Sequence, residues 1–280
     1  MQTLQPYSGK LTKFYRQPKV YLSLPSKGRW YKEGCIQEDV ENLPVFGMTA
    51  MDEIMFKTPD ALFSSESTVS VIKSCIPAIT DPWQIPQTDI DTILIGIRIA
   101  TFGEKMDMTI TCGGCSTEYD MAYDLLPLLD YFSQLQFQDV CVVPPLTFKL
   151  RPLNYKQQTD MKIDAYRMQK QIVEASKHDD SEQNMKALDS FYKELGKIQA
   201  SNLKYQIESI AADEDEVSNQ QEILDWLNNS EKMFYDGLRK HIDAQRDAWM
   251  PPKQKVKCAS CAHEQEVTVD LDQSNFFEPS

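Results

Sequence analysis

Two segments, far apart in the chain, repeat a pair of cysteines with the same spacing. Cys112 and Cys115 stand in the first segment, and Cys258 and Cys261 stand in the second. In each copy a glutamate follows three residues after the second cysteine, and an Asp-Leu pair follows further on. Four thiolates are the ligand set of a structural zinc ion, which keeps no open position for a substrate. The repeat therefore predicts one zinc ion bound by these four cysteines.

Two other uses of the cysteines stay open on spacing alone. Four thiolates can also hold iron for electron transfer. A redox-active Cys-x-x-Cys pair is the second alternative, and it normally opens a helix, whose dipole lowers the thiol pKa. Strand-like sequence follows both pairs here, which favours a metal site over a redox pair. His263 could replace one sulfur, but we expect it to face solvent.

The elements that must position the cysteines are hairpins. Alternating residues before and after each pair suit strands, so each pair is predicted to lie at a hairpin tip. The two tips are separated by about 140 residues, far more than in a self-contained zinc ribbon. A shared metal ion would therefore join two halves of the protein.

The first half is predicted over residues 33–135, in the order strand, helices, knuckle. Thr49 is a candidate N-cap for one helix. A second helix should begin near Thr88, with Asp91 at capping-box distance. Its apolar residues over 90–100 cover nearly all faces, which predicts a helix at the centre of the core.

The second half, 136–280, is predicted to repeat that order with an inserted helical hairpin over 155–211. Asn154 is expected to cap the hairpin, whose apolar residues alternate at spacings of four and three as in a coiled coil. An acidic loop should follow, and then one long helix beginning at Ser218, with Gln221 completing its capping box. The predicted fold class is α+β and helix-rich, with two similar strand, helix and knuckle halves joined by a four-cysteine zinc ribbon.

Composition places the chain among soluble proteins. It has 280 residues, 41% of them hydrophobic, and a mean hydropathy of -0.46. No stretch approaches the roughly 18 apolar residues that cross a bilayer, and no signal peptide is recognisable, so we expect residence in a cytoplasm and no membrane partner. Cys35, Cys75 and Cys141 are scattered, which predicts buried thiols in the core rather than a disulfide framework.

A net charge of -13 makes nucleic acid an unexpected ligand. A local excess of basic residues lies in residues 1–32, interleaved with aromatic side chains and without helical periodicity. This segment is predicted to be an extended N-terminal arm that lies on a partner, although packing on its own domain is equally compatible with the pattern. The candidate contact residues are Phe14, Tyr15, Trp30 and Tyr31.

Several motifs, in their order along the chain, resemble a known family. They are Leu-Ser-Leu-Pro-Ser-Lys-Gly-Arg-Trp-Tyr at 22–31, Met-Thr-Ala-Met-Asp-Glu at 48–53, Thr-Pro-Asp-Ala-Leu at 58–62, Ile-Thr-Asp-Pro-Trp at 79–83, the helix at 91–103, both knuckles and the closing segment 272–277. The chain resembles the baseplate hub proteins of contractile-tailed, T-even-type bacteriophages. The resemblance implies a structural or assembly role in the virion tail baseplate, reached through the host cytoplasm, with other hub or wedge proteins as partners.

No pattern in the sequence predicts an enzyme. The three histidines stand outside any nucleophile or hydrolase motif. Glu118 and Glu264 recur in the repeat, but a carboxylate next to a zinc thiolate is expected to be a solvated strand residue or an outer contact of the metal site. We expect no small-molecule substrate. The alternative function is a zinc-ribbon adaptor or a Cys-x-x-Cys redox protein unrelated to virion assembly.

Overall fold

The computed structural model describes residues 10–56, 65–175, 202–213 and 215–269. The fold is α+β, as predicted, with small antiparallel sheets and helices arranged around two hydrophobic cores. The helices are α1 (Ala50–Phe56), α2 (Glu66–Cys75), α3 (Gln87–Phe102), α4 (Leu126–Gln134), α5 (Tyr155–Ala175), α6 (Gln220–Asn229) and α7 (Lys232–Ala248). The strands are β1 (Pro18–Leu22), β2 (Leu43–Phe46), β3 (Lys105–Thr111), β4 (Glu118–Asp124), β5 (Val140–Val143), β6 (Leu146–Leu150), β7 (Ile207–Ala212), β8 (Asp215–Val217), β9 (Gln254–Lys257) and β10 (Glu264–Val267).

Helix α3 forms the centre of the first core, as its all-round apolar sequence predicts. Its isoleucines are buried, and the β1–β2 pair, α2 and α4 pack around it. The helix begins at Gln87 with Pro86 at the N-cap, not in the predicted capping box of Thr88 and Asp91. The reason is tertiary: the Gln87 N–H donates to the Leu153 carbonyl at 2.8 Å, so another segment satisfies it.

A buried carboxylate at the start of α3 anchors the loop that follows β1. Asp89 is fully buried and accepts hydrogen bonds from the Ser26 N–H (2.8 Å), the Ser26 hydroxyl (2.5 Å) and the Tyr31 hydroxyl (2.9 Å). Burial raises the pKa of Asp89 to about 6, although the bonds from Ser26 and Tyr31 oppose the shift. The loop is therefore tied to the core through one side chain.

Much of the predicted N-terminal arm packs on the chain's own body. An Arg16 guanidinium N–H donates to the Gly47 carbonyl at 2.8 Å, and β1 pairs antiparallel with β2. Beyond β1, the loop is held by Asp89. In the part of the predicted arm at residues 10–15, Leu11, Phe14 and Tyr15 are exposed to solvent.

The second core lies under a four-stranded antiparallel sheet in the order β5-β6-β7-β8. The acidic loop predicted over 212–216 is part of the sheet where the structure describes it: Ala212 ends β7, and Asp215 and Glu216 belong to β8 and pair with Ala212 and Ala211. The predicted single helix from Ser218 is two helices, capped by Asn219 rather than Ser218. Extended backbone at Ser230 and Glu231 separates them, which lets α6 pack against β7 and α7 against β5.

Helix α5 confirms the predicted cap of the helical insertion. Asn154 and Gln157 exchange side-chain to backbone hydrogen bonds at 2.8 and 3.0 Å, which is a capping box. Residues 202–206 are helical, and β7 then begins at Ile207, so the helical stretch stops short of the predicted end at 211 because this segment joins the sheet. The remainder of the predicted hairpin, 176–201, lies outside the described residues.

The two cores meet along the start of α3 and the start of α5. Pro86 and Asn154 form an isolated β-bridge, and the Tyr155 N–H donates to the Ile85 carbonyl at 2.8 Å. Trp30 packs edge-on against Phe137 at a centroid distance of 5.3 Å. Cys35, Cys75 and Cys141 are buried in the body, as predicted. Among the described helices, none has the length and apolarity needed to cross a bilayer.

Candidate metal centre

Two hairpins carry the four cysteines at their tips, as the alternating sequence predicts. Strand β3 pairs with β4, and β9 pairs with β10, each in antiparallel register. The closing pairs of these ladders are Thr111 with Glu118 and Lys257 with Glu264. Each Cys-x-x-Cys pair therefore lies in a turn between two strands and not at the start of a helix.

The two tips have the same backbone structure. In the first, the Cys112 N–H donates to the Thr117 carbonyl at 3.0 Å, and the Cys112 carbonyl accepts from the Ser116 N–H at 2.8 Å. In the second tip, the Cys258 N–H donates to the His263 carbonyl and the Cys258 carbonyl accepts from the Ala262 N–H, both at 2.9 Å. The residue four positions after the first cysteine is left-handed in both, with φ of 57° at Ser116 and 59° at Ala262. The sequence repeat is therefore also a repeat of local conformation.

The four sulfur atoms converge from the two tips. All lie within 4.8 Å of one another. The Cys112 and Cys261 sulfurs are 3.6 Å apart, and those of Cys115 and Cys258 are 3.8 Å apart. A tetrahedron with metal to sulfur distances of about 2.3 Å has edges of about 3.8 Å. These separations exceed the roughly 2.05 Å of a disulfide bond, and all four cysteines are free. The donor set and its spacing fit one tetrahedral metal ion.

The electrostatics of the cluster also favour a cation. Hydrogen bonding with Thr117 lowers the pKa of Cys115 to about 6. Backbone N–H groups of Cys261 and Ser260 lower the pKa of Cys258. A backbone hydrogen bond with His263 lowers the pKa of Cys261. The neighbouring Cys115 sulfur raises it, and the net result is a pKa of about 12. Four crowded thiols do not ionise together unless a positive charge compensates them, and a divalent metal ion supplies that charge.

A second set of contacts holds the two tips together without a metal. The Gly113 N–H donates to the Gln265 side-chain oxygen at 2.7 Å, and the Gln265 side-chain nitrogen donates to the Thr111 carbonyl at 3.1 Å. The His263 ring lies against Gly114, where an added Cβ would come within 2.9 Å of it. His263 is exposed and stands outside the sulfur cluster. Gln265 therefore bridges the two hairpins next to the sulfurs.

Replacing Gln265 with alanine should weaken metal binding by about tenfold, because outer contacts of metal sites typically contribute 10- to 100-fold in affinity. The measurement is competition with a chromogenic chelator at fixed pH. Gln254→Ala is the matched control, since Gln254 belongs to the same hairpin and its side chain has no hydrogen bond within the described part of the chain. Equal affinities of the two variants would show that the amide bridge does not pre-form the site.

Sequence reasoning missed Gln265 and also Tyr119. The Tyr119 hydroxyl is buried without a hydrogen-bond partner among the described residues. Burial, followed by the charges of Cys258 and Cys112, raises its pKa, so the phenol lies near the sulfurs. Both residues stand seven positions after the first cysteine of their copy. Extending the repeat to this position would have found them.

The other residues singled out from the sequence lie elsewhere. Glu118 and Glu264 are exposed at the starts of β4 and β10, outside the sulfur cluster. Phe14 and Tyr15 are 72% and 58% exposed. The two remaining candidates for partner contact, at 30 and 31, pack on the chain itself, against Phe137 and Asp89 respectively.

Comparison with protein families gives a match. The model of a family described as T4 bacteriophage base plate protein matches residues 47–278, which include both knuckles. Neither the curated proteins nor the solved structures that were searched gave a match.

Proposed function

Since the chain belongs to the family of T4 bacteriophage base plate proteins, we propose that it is a non-enzymatic structural or assembly component of the baseplate hub. One structural zinc ion stabilises it. Cys112, Cys115, Cys258 and Cys261 hold this ion. Its location is the virion tail, reached by assembly in the host cytoplasm.

The convergence of four sulfurs from two distant hairpins is the observation that carries the zinc assignment. Zinc prefers this all-thiolate tetrahedral shell, and such a shell leaves no position for a substrate. Bound there, zinc supplies a rigid cross-link. In this proposal it joins two related halves of the chain, and the shared backbone structure of the two tips supports that relationship.

A structural role also accords with the surroundings of the polar side chains. His241 lies within 3.2 Å of the Gln138 carbonyl and of the Gln245 side chain. Glu264 is exposed and stands 3.9 Å from Lys257. Neither residue forms a nucleophile and base pair within the described residues. We therefore propose no catalysis.

The proposed partners are other hub or wedge proteins. Leu11, Phe14 and Tyr15 are between 58% and 72% exposed around one short helical turn, which makes a compact apolar contact surface before Arg16 anchors the chain. Exposed aromatic side chains contribute strongly to protein interfaces. In this proposal they dock on a neighbouring tail protein.

The function is tested by locating the chain in assembled tails. We expect electron microscopy of purified tails and of assembly intermediates to place it at the baseplate centre, with Phe14 and Tyr15 against another protein. Metal analysis of the purified chain should give about one zinc per chain and no iron absorption. A chain found at the baseplate periphery would contradict the hub role, and absence from tails and intermediates alike would contradict the whole proposal.

A further inference from the structure

A cleft of about 420 Å³ lies between the two cores, away from the cysteines. Its walls come from the start of α3, the exposed face of α5, the segment after β6 and the last turns of α7. The volume is in the range of sites that bind small ligands or a few side chains. Because it lies where the two cores meet, an occupant would contact both of them.

One wall of the cleft is apolar. In this part of the lining, Leu150 and Leu153 are buried, and Trp249, Phe137 and Ile242 are half-buried. Aromatic and aliphatic surfaces of this kind gain free energy when another apolar group removes them from water. The wall therefore suits an apolar side chain.

Another part of the wall is charged, with a positive excess. Arg151, Lys162 and Arg246 line the cleft against the single carboxylate of Asp91. This composition differs from that of the whole chain, whose net charge is -13. A ligand with a negative group fits this wall.

The three cationic side chains differ in how many of their hydrogen-bond donors are already in use. Arg246 lies 3.2 Å from Asp243, whereas Arg151 uses its Nε to donate to the Tyr205 carbonyl at 3.0 Å. Within the described part of the chain, Lys162 has neither a hydrogen bond nor an ion pair. Lys162 and the terminal nitrogens of Arg151 therefore remain to bind an anion.

Asp91 adds an acceptor to the same wall. Its carboxylate is half-buried, and no residue in the described ranges donates a hydrogen bond to it or pairs with it. Lys162 is near enough to act on its charge but does not reach ion-pair distance. A bound group that carries both an acceptor and a donor would accept a hydrogen bond from Lys162 and donate one to Asp91. A peptide carries these groups together, since a carboxylate side chain accepts and a backbone N–H donates.

We propose that this cleft binds a segment of another tail protein in which an acidic residue stands next to an aromatic or aliphatic one. The carboxylate binds Lys162 and Arg151, the apolar side chain packs on the wall of Trp249, and a backbone N–H donates to Asp91. The inference rests on the proposed role of the chain as an assembly component. It assigns the cleft as a second contact surface, separate from Phe14.

The test uses two blocked dipeptides, N-acetyl-Phe-Asp-amide and the isosteric, uncharged N-acetyl-Phe-Asn-amide. Each is titrated into the ¹⁵N-labelled, metal-loaded full chain and followed by NMR. We expect saturable shifts in α5 near Ala165 and at the Trp249 indole, with the Asn peptide about tenfold weaker, because its contacts lack the charge-assisted bonds. Equal affinities, shifts located elsewhere, or no saturable binding would each overturn the proposal.

Three variants separate recognition from a general change in charge. Lys162→Gln should weaken the Asp peptide by about tenfold and leave the Asn peptide unchanged. Lys149→Gln removes the same charge from an exposed pair with Glu208 outside the cleft, and it should change neither titration. Ala165→Trp, at an exposed position on the cleft rim, should block both peptides. Peptide binding is measured on the isolated chain, so failure here is distinguishable from failure to find the chain in the baseplate.

Discussion

Replacing Cys112 with serine should weaken zinc binding by more than about a hundredfold, because loss of a ligand exceeds the 10- to 100-fold effect of outer contacts. A serine hydroxyl stays protonated at neutral pH and does not replace a thiolate. Binding at structural zinc sites contributes roughly 10–16 kcal/mol, coupled to folding. Metal content after dialysis and chelator competition measure the loss.

Hydrogen exchange shows where the structural effect falls. In Cys112→Ser we expect faster exchange in β9–β10 and in β3–β4, since the metal no longer joins these hairpins. The matched control is Cys141→Ser, a buried cysteine of the second core outside the sulfur cluster. It should reduce stability while one zinc per chain remains. Retention of a full equivalent of tightly bound zinc in Cys112→Ser would refute the four-cysteine site.

Replacing Asp89 with alanine should lower the free energy of unfolding by about 3–5 kcal/mol. The change leaves two donors of Ser26 and one of Tyr31 without their acceptor in a buried site, and each such donor costs about 1–3 kcal/mol before water enters the cavity. The loop released in this way also carries Trp30, which contacts Phe137 beside the second core. Denaturant unfolding monitored by fluorescence measures the stability loss.

Asp91→Asn is the control on the same helix, and it should increase the free energy of unfolding where Asp89→Ala lowers it. Burial raises the pKa of Asp91 to about 6, and no described residue hydrogen-bonds its carboxylate. The stability that the protonated Asp91 contributes is therefore fully present below the unfolded pKa near 3.8. It is lost as the pH rises through about 6 and the buried carboxyl becomes charged. At pH 7 the neutral amide should add roughly 1–2 kcal/mol, discounted for partial solvent exposure. The gain should vanish near pH 3. A lower free energy of unfolding for Asp91→Asn at pH 7 would contradict the conclusion that the buried charge of Asp91 is destabilising.

Local patterns in the sequence determined the parts of this protein that depend on nearby residues. The alternation around each cysteine pair predicted the hairpins, and the apolar run of α3 predicted the central helix. The caps at Thr49 and Asn154 were also readable, because a capping box joins residues three positions apart. The cysteine repeat also predicted that the four sulfur atoms converge, and they lie within 4.8 Å of one another, a spacing that fits a metal ion.

Only the tertiary structure decided how distant segments satisfy one another. Gln265 bonds to Gly113 across 152 positions, and Asp89 bonds to Ser26 across 63. The same dependence moved the start of α3 to Gln87 and divided the helix predicted from Ser218, since packing on the sheet set the break. Propensity and spacing report interactions within a few residues, whereas these features depend on which surfaces meet after the chain has folded. The cleft between the two cores exists for the same reason.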